Sequence, residues 1–421
     1  MRDPKTVQWT AKTFGELTKR LVNGGTPPTD VPTYWNGDIP WITGADFTQS
    51  GVGEFRRFVS LNAVRNTATN VIAQGELLIV TRTGVGKLAV TPCNVAISQD
   101  ITGVYPDREQ VDVEFLYHRM RQGVEDLKKL NQGTSINGII RKDLVGYSIV
   151  LPPLPQQQCI AEILSTVDEA IEQTEALIAK TLQIKAGLMH DLFTRGVTPD
   201  GQLRSPREKA PHLYKESPLG WIPKEWDCDT AGTLAVSIVP GRNKPTLDGG
   251  KYPWITITDL QGSLVSRSRE GLSVSAIALR NAAGRTIPTG AVIMSCVGEF
   301  GITAVAGCQL VINQQLHAFV PGDRIRPEWM MHALRMQKPF LERIATQTTI
   351  NYLNKAGCES VRIPVPSMDE QDRILERLSM AENEVQSETT SLYKLKKLKT
   401  GLMHDLLTGR VRVKVPEPAS A

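Results

Sequence analysis

The sequence contains no C-x-x-C pair. Its six cysteines, Cys93, Cys159, Cys228, Cys296, Cys308 and Cys358, are scattered over 421 residues. That distribution argues against a zinc ribbon or a disulfide framework and for buried free thiols in a reducing compartment. No run approaches the ~18 apolar residues of a membrane span, and the N-terminal MRDPKTVQWT is polar rather than leader-like, so the expectation is a cytoplasmic protein. Blocks of like charge are also missing. The formal net charge is +4, from 48 basic and 44 acidic residues, which permits a nucleic-acid partner without requiring one. No G-x-x-x-x-G-K-[ST] is present to cradle a triphosphate, and TGVGK around Gly84 is too short for that task. H-E-x-x-H, G-x-S-x-G, G-x-G-x-x-G and [ND]-P-P-[YF] are absent as well. The expectation is a protein with no catalytic residues, no metal site and no cofactor of its own.

What the sequence does contain is a repeat. GLMHDL occurs at Gly187–Leu192 and again at Gly401–Leu406, a displacement of 214 residues (401 − 187), and the match extends over two helical segments. In the first, Ile160, Leu164, Val167, Ile171, Thr174, Ile178, Thr181, Ile184, Leu188 and Leu192 form one stripe at alternating spacings of four and three. Ile374, Leu378, Ala381, Val385, Glu388, Leu392, Leu395, Leu398, Leu402 and Leu406 occupy the same ten positions of the second. Near-identical stripes bury most simply against each other, as an intramolecular coiled coil of helices about 40 residues, or about 60 Å, long. Pro155 suits a helix start, Ser367 with Glu370 has the pattern of a capping box, and Gly196 and Gly409 suit helix stops. Gly187 and Gly401 interrupt the helices at a cost of roughly 1 kcal/mol each, which suggests close packing of the backbones there.

The repeat extends beyond the helices. IPWITGADF (39–47) returns as YPWITITDL (252–260), so Trp41 matches Trp254 and Asp46 matches Asp259; TSIN (134–137) returns as TTIN (348–351). The reading is α+β: a mixed domain of short strands over 1–152, a long helix over 153–197, a polar connector over 198–220, a second mixed domain over 221–365, a second long helix over 366–409, and a disordered tail over 410–421. Helices are expected in the first domain at Phe14–Val22 and Val113–Leu130. Antiparallel helices would place the two domains in a pseudo-twofold circular arrangement that brings Trp9 near Leu407.

NGGTPPT (23–29), YWNGDIPWITGADF (34–47), LPPLPQQQCIAEIL (151–164), GLMHDLFTRGV (187–197) and GWIPKEW (220–226) together resemble the specificity subunit of type I restriction-modification systems, in order and spacing, over nearly the whole chain. The resemblance implies two target-recognition domains that each read one part of a split duplex DNA sequence, two conserved helices between them, and docking of two methyltransferase subunits and, through these, motor-nuclease subunits. S-adenosylmethionine, ATP and Mg2+ would then belong to the partner subunits. One departure is GRNKPT (241–246), where the first copy has GGTPPT. The competing reading is a two-headed scaffold for protein or glycan partners that never touches DNA.

Major-groove reading requires donors and acceptors of short reach. The candidates are Arg82, Lys87, Gln99, Ser135 and Asn137 in the first domain, and Asn313, Gln314, Gln315, Thr348 and Asn351 in the second. Residues shared by both halves are equally suited to capping turns. Arg82 and Gln315 are therefore the better candidates for specificity. Apolar residues beyond the mutual stripe, Ile163, Leu177, Leu182, Met189, Leu375, Met380 and Met403, are candidates for partner docking.

Overall fold

In the computed structural model the described residues are 9–48, 51–130, 138–346 and 350–415. The chain forms two compact units, Met1–Ile178 with Ser387–Ala421, and Ala179–Gln386. Each unit holds one domain of short strands and one portion of each long helix, which run Leu154–Thr194 and Met368–Leu407.

In the first unit the strands Thr18–Asn23, Ile101–Pro106, Leu77–Val80 and Leu88–Val90 form an antiparallel sheet in that order. Leu77–Val80 is buried along its whole length, which is why its sequence, LLIV, lacks the alternation of a half-exposed strand. A second sheet orders Phe58–Val59, Ile39–Ile42, Val95–Ile97 and Asn70–Ile72, with Trp41 opposite Ala96 on a parallel pair. The second unit repeats the plan. Ala235–Ile238, Leu316–Pro321, Val292–Ser295, Thr303–Ala306 and Leu264–Val265 form five strands, and Trp254 faces Val311 on the equivalent parallel pair. Phe14–Val22 is not a helix: after a turn, Thr18–Asn23 is a strand paired with Ile101–Pro106. The sheet supplies long-range partners that local helical spacing cannot offer, and Phe14 and Leu17 are buried from the turn instead.

The two long helices pair antiparallel within each unit. In the first, Ile160 and Leu164 share a core with Leu406 and Leu407; in the second, Leu192 and Phe193 share one with Ile374 and Leu378. The stripe fails at one repeated position. Ile184 and Leu398 are 59% and 52% exposed, because a 3.6-residue helix drifts from a strict seven-residue repeat and the following lysines turn inward. Lys185 Nζ reaches Glu382 Oε1 at 2.9 Å, and Lys399 bonds Asp168. Each pair adjoins a buried histidine and an arginine from the domain's own helix. These are His118 and Arg121 on Val113–Leu130, and His332 and Arg335 on Pro327–Met336. The quartet therefore recurs with the repeat, Asp168 in one copy standing where Glu382 stands in the other. Burial lowers both imidazoles to about 4, so they are neutral at physiological pH.

A second repeated device sits at the start of each helix. Gln157, fully buried, accepts from Asp112 N at 2.9 Å and donates to Gln110 O and Pro152 O. Gln371 accepts from Arg326 N at 2.8 Å and donates to Arg324 O and Pro366 O. At the far ends, Gly196 and Gly409 adopt φ of 65° and 73°, the left-handed cap that glycine allows. Trp9 packs with Leu406 and Leu407, and its ring lies 3.2 Å from where a Cβ on Gly409 would stand. Trp226 holds the equivalent place beside Gly196.

Two expectations are corrected. A Cβ on Gly187 or Gly401 would meet nothing within 4 Å, so neither marks a close approach of backbones. Ser367 Oγ accepts from Glu370 N at 3.4 Å, one half of a capping box, but the Glu370 carboxylate turns away from the box, accepting from Val197 N at 2.9 Å and pairing with the buried Arg204. The polar connector is fastened to its surroundings. Arg204 also bonds Arg195 O and Glu225, Tyr214 donates to Ser205 O, and Tyr214–Ser217 pairs with Gly220–Pro223 as a hairpin.

Candidate nucleic-acid interface

At one end of the first unit's antiparallel sheet, four segments converge. They are the loop 81–87, the turn 98–100, the loop that begins at Gly24, and the segment from Gly138. Backbone bonds tie them together: Thr81 N to Asp100 O at 2.8 Å, Ile139 N to Thr81 O at 2.9 Å, and Gly25 N to Ile97 O at 3.0 Å. Only glycine fits at position 24, since a Cβ there would lie 2.0 Å from Ile97 O. The segments enclose a cleft of about 500 Å³ whose walls include Asn23, Arg82, Gln99, Gly138 and Arg141. Its mouth combines a guanidinium with amides, the groups that pair with base edges and phosphates.

The second unit builds the same frame from different side chains. Leu353 N donates to Cys296 O at 2.8 Å, matching Ile139 and Thr81, and Gly298 N donates to Asn351 O at 2.8 Å. The GRNKPT loop keeps its place: Gln314 Nε2 donates to Gly241 O at 3.0 Å, where in the first unit Thr26 donates to Gln99. The sequence departure thus alters side chains and leaves the loop's anchor in position.

The candidates separate accordingly. Arg82 is exposed at the cleft, and among the described residues its guanidinium has no ion pair. Lys87 is otherwise engaged, its Nζ donating to Gly44 O at 2.9 Å and Phe47 O at 3.3 Å, and so ties the turn that carries Asp46. Gln99 and Gln314 are exposed but anchor the neighbouring loop. Asn313 and Gln315 clamp one another, Nδ2 to Oε1 at 3.0 Å and Gln315 N to Asn313 Oδ1 at 3.1 Å. Asn351 is exposed on the segment joined to 296–298. Ser135, Asn137 and Thr348 lie outside the described residues. The sequence reading missed Asn23, Arg141, Ile350 and Tyr352. Asn23 and Ile350 lie inside quoted motifs, Tyr352 adjoins one and Arg141 lies four residues past Asn137, and that proximity was the available signal. It also missed the repeated histidine quartet, which the 214-residue displacement (332 − 118) would have revealed.

Asp46 and Asp259 do not face the cleft. Each is buried and capped, Asp46 by Thr43 N at 2.8 Å and Arg56 Nε at 2.7 Å, Asp259 by Thr256 N at 2.8 Å and Arg269 N at 2.7 Å. Burial alone would raise the pKa of Asp46; the bonds from Thr43 and Arg56 outweigh it and hold the carboxyl below its ordinary range.

Of the apolar candidates on the long helices, Ile163 and Leu177 are exposed in the first unit, and Leu182 and Met380 in the second. Met189 and Leu375 pack against the core of the second unit and Met403 against that of the first, so these three are partly covered by their own domains. Among the described residues no group of His, Cys, Asp and Glu could hold a metal ion, and no helix is long and apolar enough to cross a membrane.

A mixed α/β domain built twice, with matching loop frames that carry different side chains, on paired long helices, defines a duplicated recognition protein. The profile of the type I restriction modification DNA specificity domain matches residues 6–182 and 241–397, and the chain belongs to that family. The type I restriction enzyme MjaIX specificity subunit of Methanocaldococcus jannaschii is 26% identical over 425 residues, covering 96% of this chain and 94% of that one. Among solved structures, the type I restriction-modification system S subunit from M. genitalium aligns with TM-score 0.60 at 17% identity, over 96% of this chain and 98% of that one. A chain from a structure addressing complex assembly and conformational transition of the type I R-M system aligns with TM-score 0.58 at 19% identity, over 96% and 98%. At these identities the structural likeness bears on the fold alone.

Proposed function

We propose that this chain reads a split, asymmetric duplex DNA target, one part with each unit, and docks two copies of a methyltransferase subunit on its long helices. Motor-nuclease subunits join through those partners, S-adenosylmethionine, ATP and Mg2+ are bound among the partner subunits, and the assembly works in the cytoplasm. The observation that carries this reading is the repeated loop frame, whose side chains differ at equivalent places, Arg82 against Val297 and Gly138 against Tyr352. Identical readers would call for a palindromic target, whereas diverged readers call for two unlike half-sites. Exposed Ile163 and Leu177 in the first unit and Leu182 and Met380 in the second supply apolar surface on the helix portions of both, and a docking surface in each unit suits two copies of one partner. Family membership does not favour the alternative of a scaffold that never touches DNA.

The test is selection from a random duplex library by the full chain together with its methyltransferase subunits. Two unlike half-sites with a fixed unread gap are expected, with affinity falling steeply as salt rises because phosphate contacts release counterions. Enrichment of a palindrome, or of no sequence, would overturn the reading.

A further inference from the structure

The two loop frames differ in chemistry at two facing places. Where the first unit has Arg82, the second has Val297; where the first has Gly138, the second has Tyr352. Ile350 and Tyr352 flank Asn351 and are 61% and 41% exposed, although large apolar side chains gain free energy from burial. Their base is held firmly. Thr346 and Tyr352 exchange backbone bonds at 3.0 and 3.3 Å, Gly298 N bonds Asn351 O, and Leu353, buried, donates to Cys296 O at 2.8 Å. Val297 pairs with Tyr352 across this ladder. The exposed pair is thus a preorganised apolar prong, at the place where the first unit has an open polar cleft.

Along a duplex, the apolar feature that distinguishes one base pair from another in the major groove is the thymine 5-methyl group. A guanidinium suits the acceptor edge of guanine; a tyrosine ring beside an isoleucine does not. We propose that the second unit recognises its half-site through thymine 5-methyl groups, with Tyr352 and Ile350 as the contacting side chains. This rests on the reading of the chain as a DNA specificity subunit and adds the base chemistry of one half of its target. The first unit has Gly138 in place of Tyr352 and so lacks the ring.

The experiment uses the target duplex found by library selection, bound by the full chain with its methyltransferase subunits. Each thymine is replaced in turn by deoxyuridine, which removes the methyl group and preserves base pairing. Affinity should fall roughly fourfold per contacted methyl, the equivalent of one buried carbon, in one half-site only. Tyr352→Ala and Ile350→Ala should abolish the difference between thymine and deoxyuridine at that position, while Arg82→Ala should leave it intact. The deoxyuridine series needs no variant, so misfolding of a substituted chain does not weaken it. No loss at any thymine, or equal losses in both half-sites, overturns the proposal and leaves the DNA-reading function standing. Failure to select any duplex overturns the function and the proposal with it. Larger losses on Tyr352→Ala that ignore deoxyuridine would replace methyl recognition by stacking or wedging between bases.

Discussion

Lys185 on the first long helix donates to Glu382 on the second, 197 residues away in sequence and 2.9 Å away in space. Burial would raise the carboxyl's pKa, but the bond and charge of Lys185 hold it lower. Lys185→Met keeps the aliphatic stem and strands the carboxylate beside His332. It should cost about 1 kcal/mol, because the carboxylate is only partly buried and keeps a contact to Ser263 Oγ, and Lys185→Arg should recover part of it. Denaturant midpoints measure both. A neutral Lys185→Met would mean the pair is solvent-screened and idle.

The neighbouring histidines give the stability curve a direction. His118 and His332 are depressed from 6.5 to about 4, chiefly by burial. The unfolded chain binds protons that the folded one refuses, so this contribution is fully present above about 6.5 and is lost as pH falls toward 4. Each group adds a slope of up to about 1.4 kcal/mol per pH unit. His317 is depressed similarly. Melting temperatures across this window should fall less steeply for the pair His118→Gln and His332→Gln than for the natural chain.

Gly187 and Gly401 face open space in the interiors of long helices. Gly187→Ala and Gly401→Ala should each stabilise the chain by about 0.5–1 kcal/mol. Gly196→Ala should do the reverse, because its φ is 65° and a Cβ there would lie 2.3 Å from Glu370 Oε1. Thermal unfolding of the three variants separates the two situations.

Arg82→Ala should cost about 1–3 kcal/mol and relax a single base position, whereas Lys87→Ala, which releases Gly44 and Phe47, should lower stability without changing preference. Equal weakening of every sequence by Arg82→Ala would identify a phosphate contact instead. Binding across single-base variants of the selected target decides the matter.

Arg204→Ala removes the partner of buried Glu370 and should destabilise by about 3–5 kcal/mol. Limited proteolysis should accordingly spare the connector of the natural chain and cut it in the variant. Resistance in both would show that the hairpin alone holds the segment.

The repeat, the long helices and the strand-rich domains were legible because periodicity and displacement are properties of sequence. Phe14–Val22 was misread because strand pairing with Ile101–Pro106 is a long-range event that local spacing does not encode. The interface was legible only in part. Arg82 could be singled out because the repeat does not preserve it, but nothing in the local sequence shows that Lys87 is occupied by Gly44 and Phe47, or that Asn313 and Gln315 occupy each other. Exposure of Ile350 and Tyr352 likewise depends on the ladder beneath them.

The glutamines at the helix starts have a consequence for how such chains diversify. Every bond that Gln157 and Gln371 make is to a main-chain atom. This part of each domain's attachment therefore depends on the path of the chain and not on the side chains along it. Recombination that exchanged one domain for a foreign one with the same path would find its fastening already in place. New target sequences could then arise by cassette exchange, provided the incoming domain also keeps the histidine and arginine that meet the long helices.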